Sequence, residues 1–313
     1  MTEPSVSSHI LVIGAASIDT KGRADLPVQT GTSTPGAIRV SVGGVGRNIA
    51  ENLAHLGEPV VLISAVGDDD AGRRLLQQAT ECGIDLSHVL VDAEHRTAAY
   101  LAVLDETGDL VMSIDDMEIN RELITPALVY RRRALFRDAR MVVLDANLSP
   151  ATLHTVFGLT RRYSVPVCAD PTTATLAPRL CSYLPDLTLI TPNAAEAQAL
   201  CNVQVRGRDS ALVAAQKLVS MGVQIAIVTL GATGLVYATS QESGHVPSVA
   251  DEIVDLTGAG DALTAAVVFG LLNSFAVDEA VRLGTSAAAL TLHSRHTVCT
   301  NLNLERLYDQ LII

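Results

Sequence analysis

The chain has 313 residues, 48% of them apolar, with 22 Lys and Arg against 34 Asp and Glu and a formal net charge of −12. A chain of this length buries roughly 75% of the surface its unfolded form exposes, so one large α/β domain holds a core without metal or disulfide staples. The acidic balance excludes a protein that captures nucleic acid by neutralising phosphates, and it disfavours an anionic membrane surface.

Five cysteines, Cys82, Cys168, Cys181, Cys201 and Cys299, form an odd set without a CxxC pair. They read as reduced core thiols rather than a disulfide frame or a zinc site. Met1 to Ser8 carries no Lys or Arg ahead of the short apolar run Ile10–Ala16, which speaks against a secretory signal. The apolar stretch Ala262–Leu272 is interrupted by Thr264 and Gly270 and falls short of the ~20 residues that span a bilayer. A cytoplasmic protein with neither nucleic-acid nor membrane partners is expected.

The first predicted strand, His9–Ala15, runs into Gly14-Ala15-Ala16-Ser17-Ile18-Asp19. An acidic residue just beyond the carboxyl end of a parallel strand lies where such sheets bind ligands, and a carboxylate can accept two sugar hydroxyls. Residues 24–42 bring Gly and Pro turn signals and the alternation Ile38-Arg39-Val40-Ser41-Val42, which suits a strand with one wet face. Gly43-Gly44-Val45-Gly46-Arg47-Asn48 then opens an amphipathic helix. Its glycines permit close approach by a small ligand or simply a tight strand-to-helix turn, and Asn48 can both donate and accept.

Val60–Ala65 reads as a strand, and residues 97–114 as a hairpin in which Ala99–Leu104 and Leu110–Ile114 flank the turn Asp105–Asp109. The two β insertions, 24–42 and 97–114, either build a small lid sheet over one edge of the domain or remain separate surface hairpins. Arg131-Arg132-Arg133 is read as a solvated helix face. Met141–Leu144, Val165–Ala169, Leu187–Ile190 and Ile225–Thr229 continue the apolar runs, with helical stretches between them. This is the pattern of a buried, mostly parallel sheet covered on both faces.

The most specific feature is Asp255-Leu256-Thr257-Gly258-Ala259-Gly260-Asp261, followed at once by an apolar helix. A Gly-Ala-Gly turn opening a helix presents unpaired N–H groups and the positive end of the helix dipole, and so attracts phosphate. An aspartate there would repel an anion unless it has another task, such as accepting a proton from a hydroxyl that attacks phosphorus. Taken alone, Asp261 could equally cap the helix.

Together these motifs resemble the PfkB-type carbohydrate and nucleoside kinases, the ribokinase-like family, over essentially the whole chain. The resemblance implies a single domain over residues 1–313: a Rossmann-like αβα sandwich with a mostly parallel central sheet and a small β lid formed by about 24–42 and 97–114. It implies Asp261 as catalytic base, with Gly258, Ala259 and Gly260 as the anion hole. Asp19, Gly43, Gly44 and Asn48 would contact sugar hydroxyls, joined by Asn147 at a strand end. Asn193 and Glu196, in Thr191-Pro192-Asn193-Ala194-Ala195-Glu196, would help place Mg2+ and phosphate through water, as suits an ion that dehydrates reluctantly. Thr229, Gly231 and Gly234 would meet the phosphates of ATP, and Asp255 with Thr257 would sit at the K+ site that some members carry.

Within the family, Gly43–Ala54, Ser64–Asp68 and the lid sequence from Tyr100 to Met117 are most similar to bacterial pseudouridine kinases. Ribokinases usually carry Lys where Val45 stands and an acidic residue near Asn147, so free ribose is disfavoured. The implied reaction is ATP-dependent phosphorylation of a nucleoside 5′-hydroxyl, pseudouridine first among the acceptors, and the family admits a homodimer through the lid. Ribokinase or another sugar or purine-nucleoside kinase is the alternative within the class. A nucleotide-binding regulatory protein without turnover is the alternative outside it. The eight histidines show no metal-ligand spacing, and His293 with His296 reads as a polar helix end near the nucleotide. With 3% aromatic residues and no Trp, recognition of a base rests largely on hydrogen bonds.

Overall fold

Short β-branched runs alternate with helices, so each strand must reach its neighbour by a crossover that lays a helix on one face of the sheet. The computed structural model describes residues 8–249 and 257–311. Its strands in chain order are β1 (His9–Ile13), β2 (Ser17–Ala24), β3 (Gly36–Gly43), β4 (Val60–Ile63), β5 (Ala65–Gly67), β6 (Leu90–Asp92) and β7 (Ala98–Leu104). These are followed by β8 (Leu110–Asp116), β9 (Ala139–Asp145), β10 (Val167–Asp170), β11 (Leu189–Ile190), β12 (Ile225–Thr229), β13 (Leu235–Ala238) and β14 (Ser243–Val246).

Eight of them form one sheet in the order β14-β13-β12-β11-β10-β9-β1-β4. All its pairings from β12 to β4 are parallel, and β13 and β14 close one edge antiparallel. Every residue of β1 is buried, and its side chains alternate between two cores. Leu11 and Ile13 join the layer under the helix Pro150–Tyr163, whereas Ile10 and Val12 join the layer under α1 (Val45–His55) and the helix Ala259–Leu272. This two-sided covering makes the fold the αβα sandwich implied by the sequence. Among the described residues no helix is long and apolar enough to cross a membrane.

A second sheet has the order β3-β2-β7-β8 and takes its strands from both β insertions. Its boundaries are wider than the sequence pattern suggested. Ser17–Ala24 is a full strand of this sheet, so Asp19 does not trail the end of β1 but stands within β2, opposite Ser41 and Tyr100. The alternation in β3 also works differently from the expected wet and dry faces. Ile38 is 76% exposed and Val40 48%, on the same face as Leu101, Met112 and Ile114, all of them exposed. Only the base of that face is covered, where Ile18 and Val42 pack against Val66 and Leu75, the latter in α2 (Asp70–Glu81).

Candidate active site

The carboxyl ends of the parallel strands converge where the second sheet leans over the first, the position at which open α/β sheets bind ligands. Asp145 ends β9 and Asp170 ends β10, in register with each other. Asp145 is fully buried and clamps three segments: its Oδ2 accepts from the Ala15 and Gly46 N–H groups at 2.7 and 3.1 Å, and its Oδ1 accepts from the Asn147 N–H at 3.0 Å. Asn147 is thereby fixed and buried at the strand end. Asp170 Oδ1 accepts from the Thr172 N–H at 2.7 Å, and Thr172 takes a positive φ of 65° to offer it. For a β-branched residue that backbone is strained, and such strain gathers at functional sites.

Asp261 lies in the first turn of the helix Ala259–Leu272. It does not cap that helix. The N-cap is Gly258, at φ 84°, and among the described residues no side chain caps the first turn, so the N–H groups of Ala259, Gly260 and Asp261 keep the open donors of a helix start. A side chain at Gly258 would overlap the Thr297 carbonyl oxygen, so packing as well as conformation requires glycine there. The Asp261 carboxylate instead accepts from Asn48 Nδ2 at 2.7 Å. Burial raises its pKa to about 7, and the negative charges of Asp19 and Asp145 add to the rise, while the Asn48 hydrogen bond and Arg47 oppose it. A carboxyl poised there can both take and hold a proton near neutral pH.

Asn48 is itself held from behind. Its Oδ1 accepts from Arg47 Nη1 at 2.9 Å and from the Thr297 hydroxyl at 3.3 Å. Arg47 is completely buried and pairs with Glu51 one turn on. Burial lowers its pKa to about 10, which leaves it charged at neutral pH. The chain Glu51, Arg47, Asn48, Asp261 therefore fixes the orientation of the acid. From the second sheet, Asp19 arrives at 5% exposure, with its Oδ1 accepting from the Ser17 hydroxyl at 2.9 Å. A Cβ at Gly43 would overlap the Asp19 carboxylate, which explains a glycine at that position without appeal to conformation.

The residues implied for nucleotide contact gather on the next strands. Thr229 ends β12, bridges to Asn193, and its N–H donates to the Pro192 carbonyl at 3.0 Å. The exposed turn Gly231–Thr233 and half-buried Gly234 follow directly. Asn193 and Glu196 form a complete capping box on the helix Ala194–Cys201: Asn193 Oδ1 accepts from the Ala195 and Glu196 N–H groups, and Glu196 accepts from the Asn193 N–H and Nδ2. Both residues thus have a structural duty that the sequence reading did not assign. Burial raises the Glu196 pKa. It also raises that of Asp170 well above the usual range, with Asp261 and Glu196 adding repulsion. Crowded buried carboxylates of this kind fit a hydrated divalent cation, which relieves the repulsion without stripping its own waters.

Asp255 lies outside the described residues. Its partner in the implied K+ site, Thr257, accepts at its hydroxyl from the Lys21 ammonium, so a bound monovalent cation would share that oxygen with Lys21. His296 lines a cleft of about 270 Å³ beside Lys21, Arg39 and Arg295. The residues that sequence reasoning passed over are Asp170, Arg47 and Lys21. Asp170 carried a legible signal, since it follows the predicted strand Val165–Ala169 just as Asp145 follows Met141–Leu144.

The family model for "pfkB family carbohydrate kinase" matches residues 7–302. The chain belongs to the pfkB family of carbohydrate kinases. It is 31% identical over 297 residues to the pseudouridine kinase of Escherichia coli strain K12, covering 95% of this chain and 94% of that one. It is also 31% identical to the guanosine-inosine kinase of Exiguobacterium acetylicum, over 92% and 95% of the two chains. Among solved structures, the ribokinase of Arabidopsis thaliana complexed with ribose and ATP superposes with a TM-score of 0.83 at 22% identity, covering 97% of this chain and all of that one, 100%. The protein is therefore a phosphotransferase with a ribokinase fold that acts on a sugar hydroxyl.

Proposed function

We propose that this kinase transfers the γ-phosphoryl group of ATP to the 5′-hydroxyl of a ribosyl nucleoside, with pseudouridine its preferred acceptor. The observation that carries the proposal is the pairing of a buried Asp261 with the uncapped helix start on which it stands: an acceptor for a proton and a cradle for a phosphate within one turn of chain. Asp261 takes the proton of the 5′-hydroxyl as that oxygen bonds to the γ-phosphorus and the bond to the departing ADP oxygen breaks. The open N–H groups of Ala259, Gly260 and Asp261 face the charge that gathers on the moving group. Asp19, Gly43 and Gly44 hold the ribose, and Asn48 keeps Asp261 aimed at it. Asn193, Thr229, Gly231 and Gly234 receive the nucleotide.

Glu196 and Asp170 are the residues that would hold hydrated Mg2+; with nucleotide bound, the ion supplies neutralisation of phosphate charge. The K+ role of Asp255 and Thr257 belongs to the same reading, and replacing K+ with Na+ in the assay tests it. The β3-β2-β7-β8 sheet is the lid, and its closure excludes water from the acceptor.

Pseudouridine is favoured over ribose by Val45, which stands where ribokinases usually carry Lys, and by the similarity to the E. coli pseudouridine kinase. The lid sheet supports a reader for the base. Asp115 lies opposite Tyr100, which lies opposite Asp19, so all three share the face that looks into the site, whereas Asp116 is on the other face. Asp115 is the acceptor best placed for the N–H that pseudouridine has and uridine lacks. On the lid's outer face, exposed Ile38, Val40, Leu101, Met112 and Ile114 support a homodimer through the lid. A competitive assay of pseudouridine against uridine, inosine and ribose, with Asp115→Ala alongside, tests the assignment.

A further inference from the structure

Past Asn48 toward the C-terminal end of α1, three side chains of different chemistry point at one spot. Glu51 and His55 are one helical turn apart on the same face of α1, and Cys82 is the C-cap residue of α2. His55 Nε2 lies 3.8 Å from Glu51 Oε1 and 3.9 Å from Cys82 Sγ. The three ligand atoms all fall within 4.8 Å of one another. Tetrahedral ligation at about 2.0–2.3 Å needs ligand atoms a little over 3 Å apart, so the pairs at 3.8 and 3.9 Å must close by roughly half an ångström and the widest, within 4.8 Å, by up to roughly an ångström and a half, which side-chain torsions at half-buried His55 and Cys82 can supply.

We propose that Glu51, His55 and Cys82 form a binding site for a borderline-soft divalent transition metal of the Zn2+ class, distinct from the oxygen-lined Mg2+ position at the phosphates. The donor mixture of one carboxylate, one imidazole and one thiolate selects that class and rejects Mg2+ and Ca2+, which demand oxygen ligands. Glu51 divides its labour to allow it. One oxygen, Oε2, pairs with Arg47, while Oε1 faces His55 and accepts from Gln78 Nε2 at 3.2 Å, with a second lone pair left for a metal.

Glu51 is buried and fixed, whereas His55 and Cys82 are half-buried at the wall of a cleft of about 490 Å³ that Glu81, His296 and Thr300 also line. That cleft gives the ion an entry path and leaves a fourth position for water or an added ligand. Ligation breaks the Cys82 S–H bond, forms the metal–sulfur bond and releases the proton to solvent. The site also shares Glu51 with the Arg47–Asn48–Asp261 chain, so occupancy draws on the carboxylate that anchors the acid from behind.

The test uses the full chain, stripped with chelator and free of nucleotide. Titration with Co2+ is expected to give a thiolate-to-cobalt charge-transfer band that saturates at one equivalent and is displaced by Zn2+ but not by excess Mg2+. Cys82→Ser loses the band, and Cys168→Ser and Cys299→Ser keep it. His55→Gln, which retains the thiol, weakens Zn2+ binding measured by calorimetry at least about tenfold, since even loss of a ligand's supporting partner costs about that much. Thermal melts of the stripped variants show whether each is folded, and His55→Gln carries the test should Cys82→Ser not fold. Absence of a band with folded wild-type protein, or a band that persists in Cys82→Ser, overturns the proposal, as does unchanged Zn2+ affinity in His55→Gln.

Discussion

Asp261→Asn separates chemistry from stability, because the substitution removes a charge while keeping the shape. The asparagine oxygen still accepts from Asn48 Nδ2, so the buried polar contact survives. The folded protein holds the Asp261 proton up to about pH 7, against 3.8 for an ordinary aspartate. Keeping the carboxylate ionised therefore costs the native state on the order of 4 kcal/mol at most. The sign follows from proton binding. The folded state binds this proton more tightly than the unfolded chain, so the group favours folding at low pH and loses that contribution as pH rises from 3.8 through about 7. Asp261→Asn should be more stable than wild type to urea at pH 8, and the gain should shrink steadily as pH falls to 5. Its kcat should drop at least about a hundredfold, since a positioned general base supplies about 10²- to 10⁴-fold, while nucleotide and nucleoside still bind. Wild-type kcat/KM should rise with pH and level off above about 7, reporting the free enzyme's base. Wild-type turnover in the variant would refute the base assignment. A stability gain of equal size at pH 5 and pH 8 would refute the electrostatic reasoning.

Arg47→Met leaves Glu51 buried beside no cation and should destabilise the fold by about 3–5 kcal/mol; adding Glu51→Leu should recover most of that loss in chemical denaturation. Arg23 Nη2 donates to the Glu106 carbonyl at 2.9 Å, tying the hairpin tip to β2. Deleting Glu106–Gly108 should leave the melting temperature nearly unchanged while raising KM for nucleoside or increasing ATP hydrolysis without transfer; unchanged kinetics would make the lid an ordinary surface sheet. Ile114→Asp on the lid's exposed outer face should shift the protein to a smaller species in sedimentation, and an identical sedimentation profile would remove that face as the dimer contact.

The architecture was legible because a buried parallel strand cannot disguise itself: runs such as Val60–Ile63 and Ile225–Thr229 are apolar on both faces and stand between helices. The Gly-Ala-Gly turn was legible as a helix start, but whether Asp261 caps that helix or is free for another task was not, since only the folded chain shows Gly258 as the N-cap and Asn48 as the aspartate's partner. Other features depend on distance along the chain. Asp19 reads as lying just beyond the end of a strand, yet it stands within β2 of the second sheet, whose register with Ser41 and Tyr100 only the folded chain reveals. The exposed Ile38 and Val40 carry the alternation of a half-buried strand, and no local pattern tells a core face from an outward one. Asn193 and Glu196 look equally suited to a capping box and a metal shell, because both uses call for the same two side chains at the same spacing. Cys82 reads as one more core thiol, since its approach to His55 joins residues 27 apart in sequence.

One assay tests the proposed reaction most directly: initial rates of ADP release by the wild-type chain with Mg2+ and ATP, over matched concentrations of pseudouridine, uridine, inosine and ribose, with the phosphorylated product identified by mass spectrometry. Pseudouridine should lead in kcat/KM by at least about tenfold, the factor that ~1.4 kcal/mol supplies and that one acceptor left unpaired once the lid closes over it can account for. Its product should carry phosphate on the 5′-oxygen. Uridine or inosine in first place would contradict the pseudouridine assignment, ribose in first place would contradict the nucleoside assignment as well, both leaving the kinase intact, and no transfer to any of the four acceptors would contradict the phosphotransfer itself.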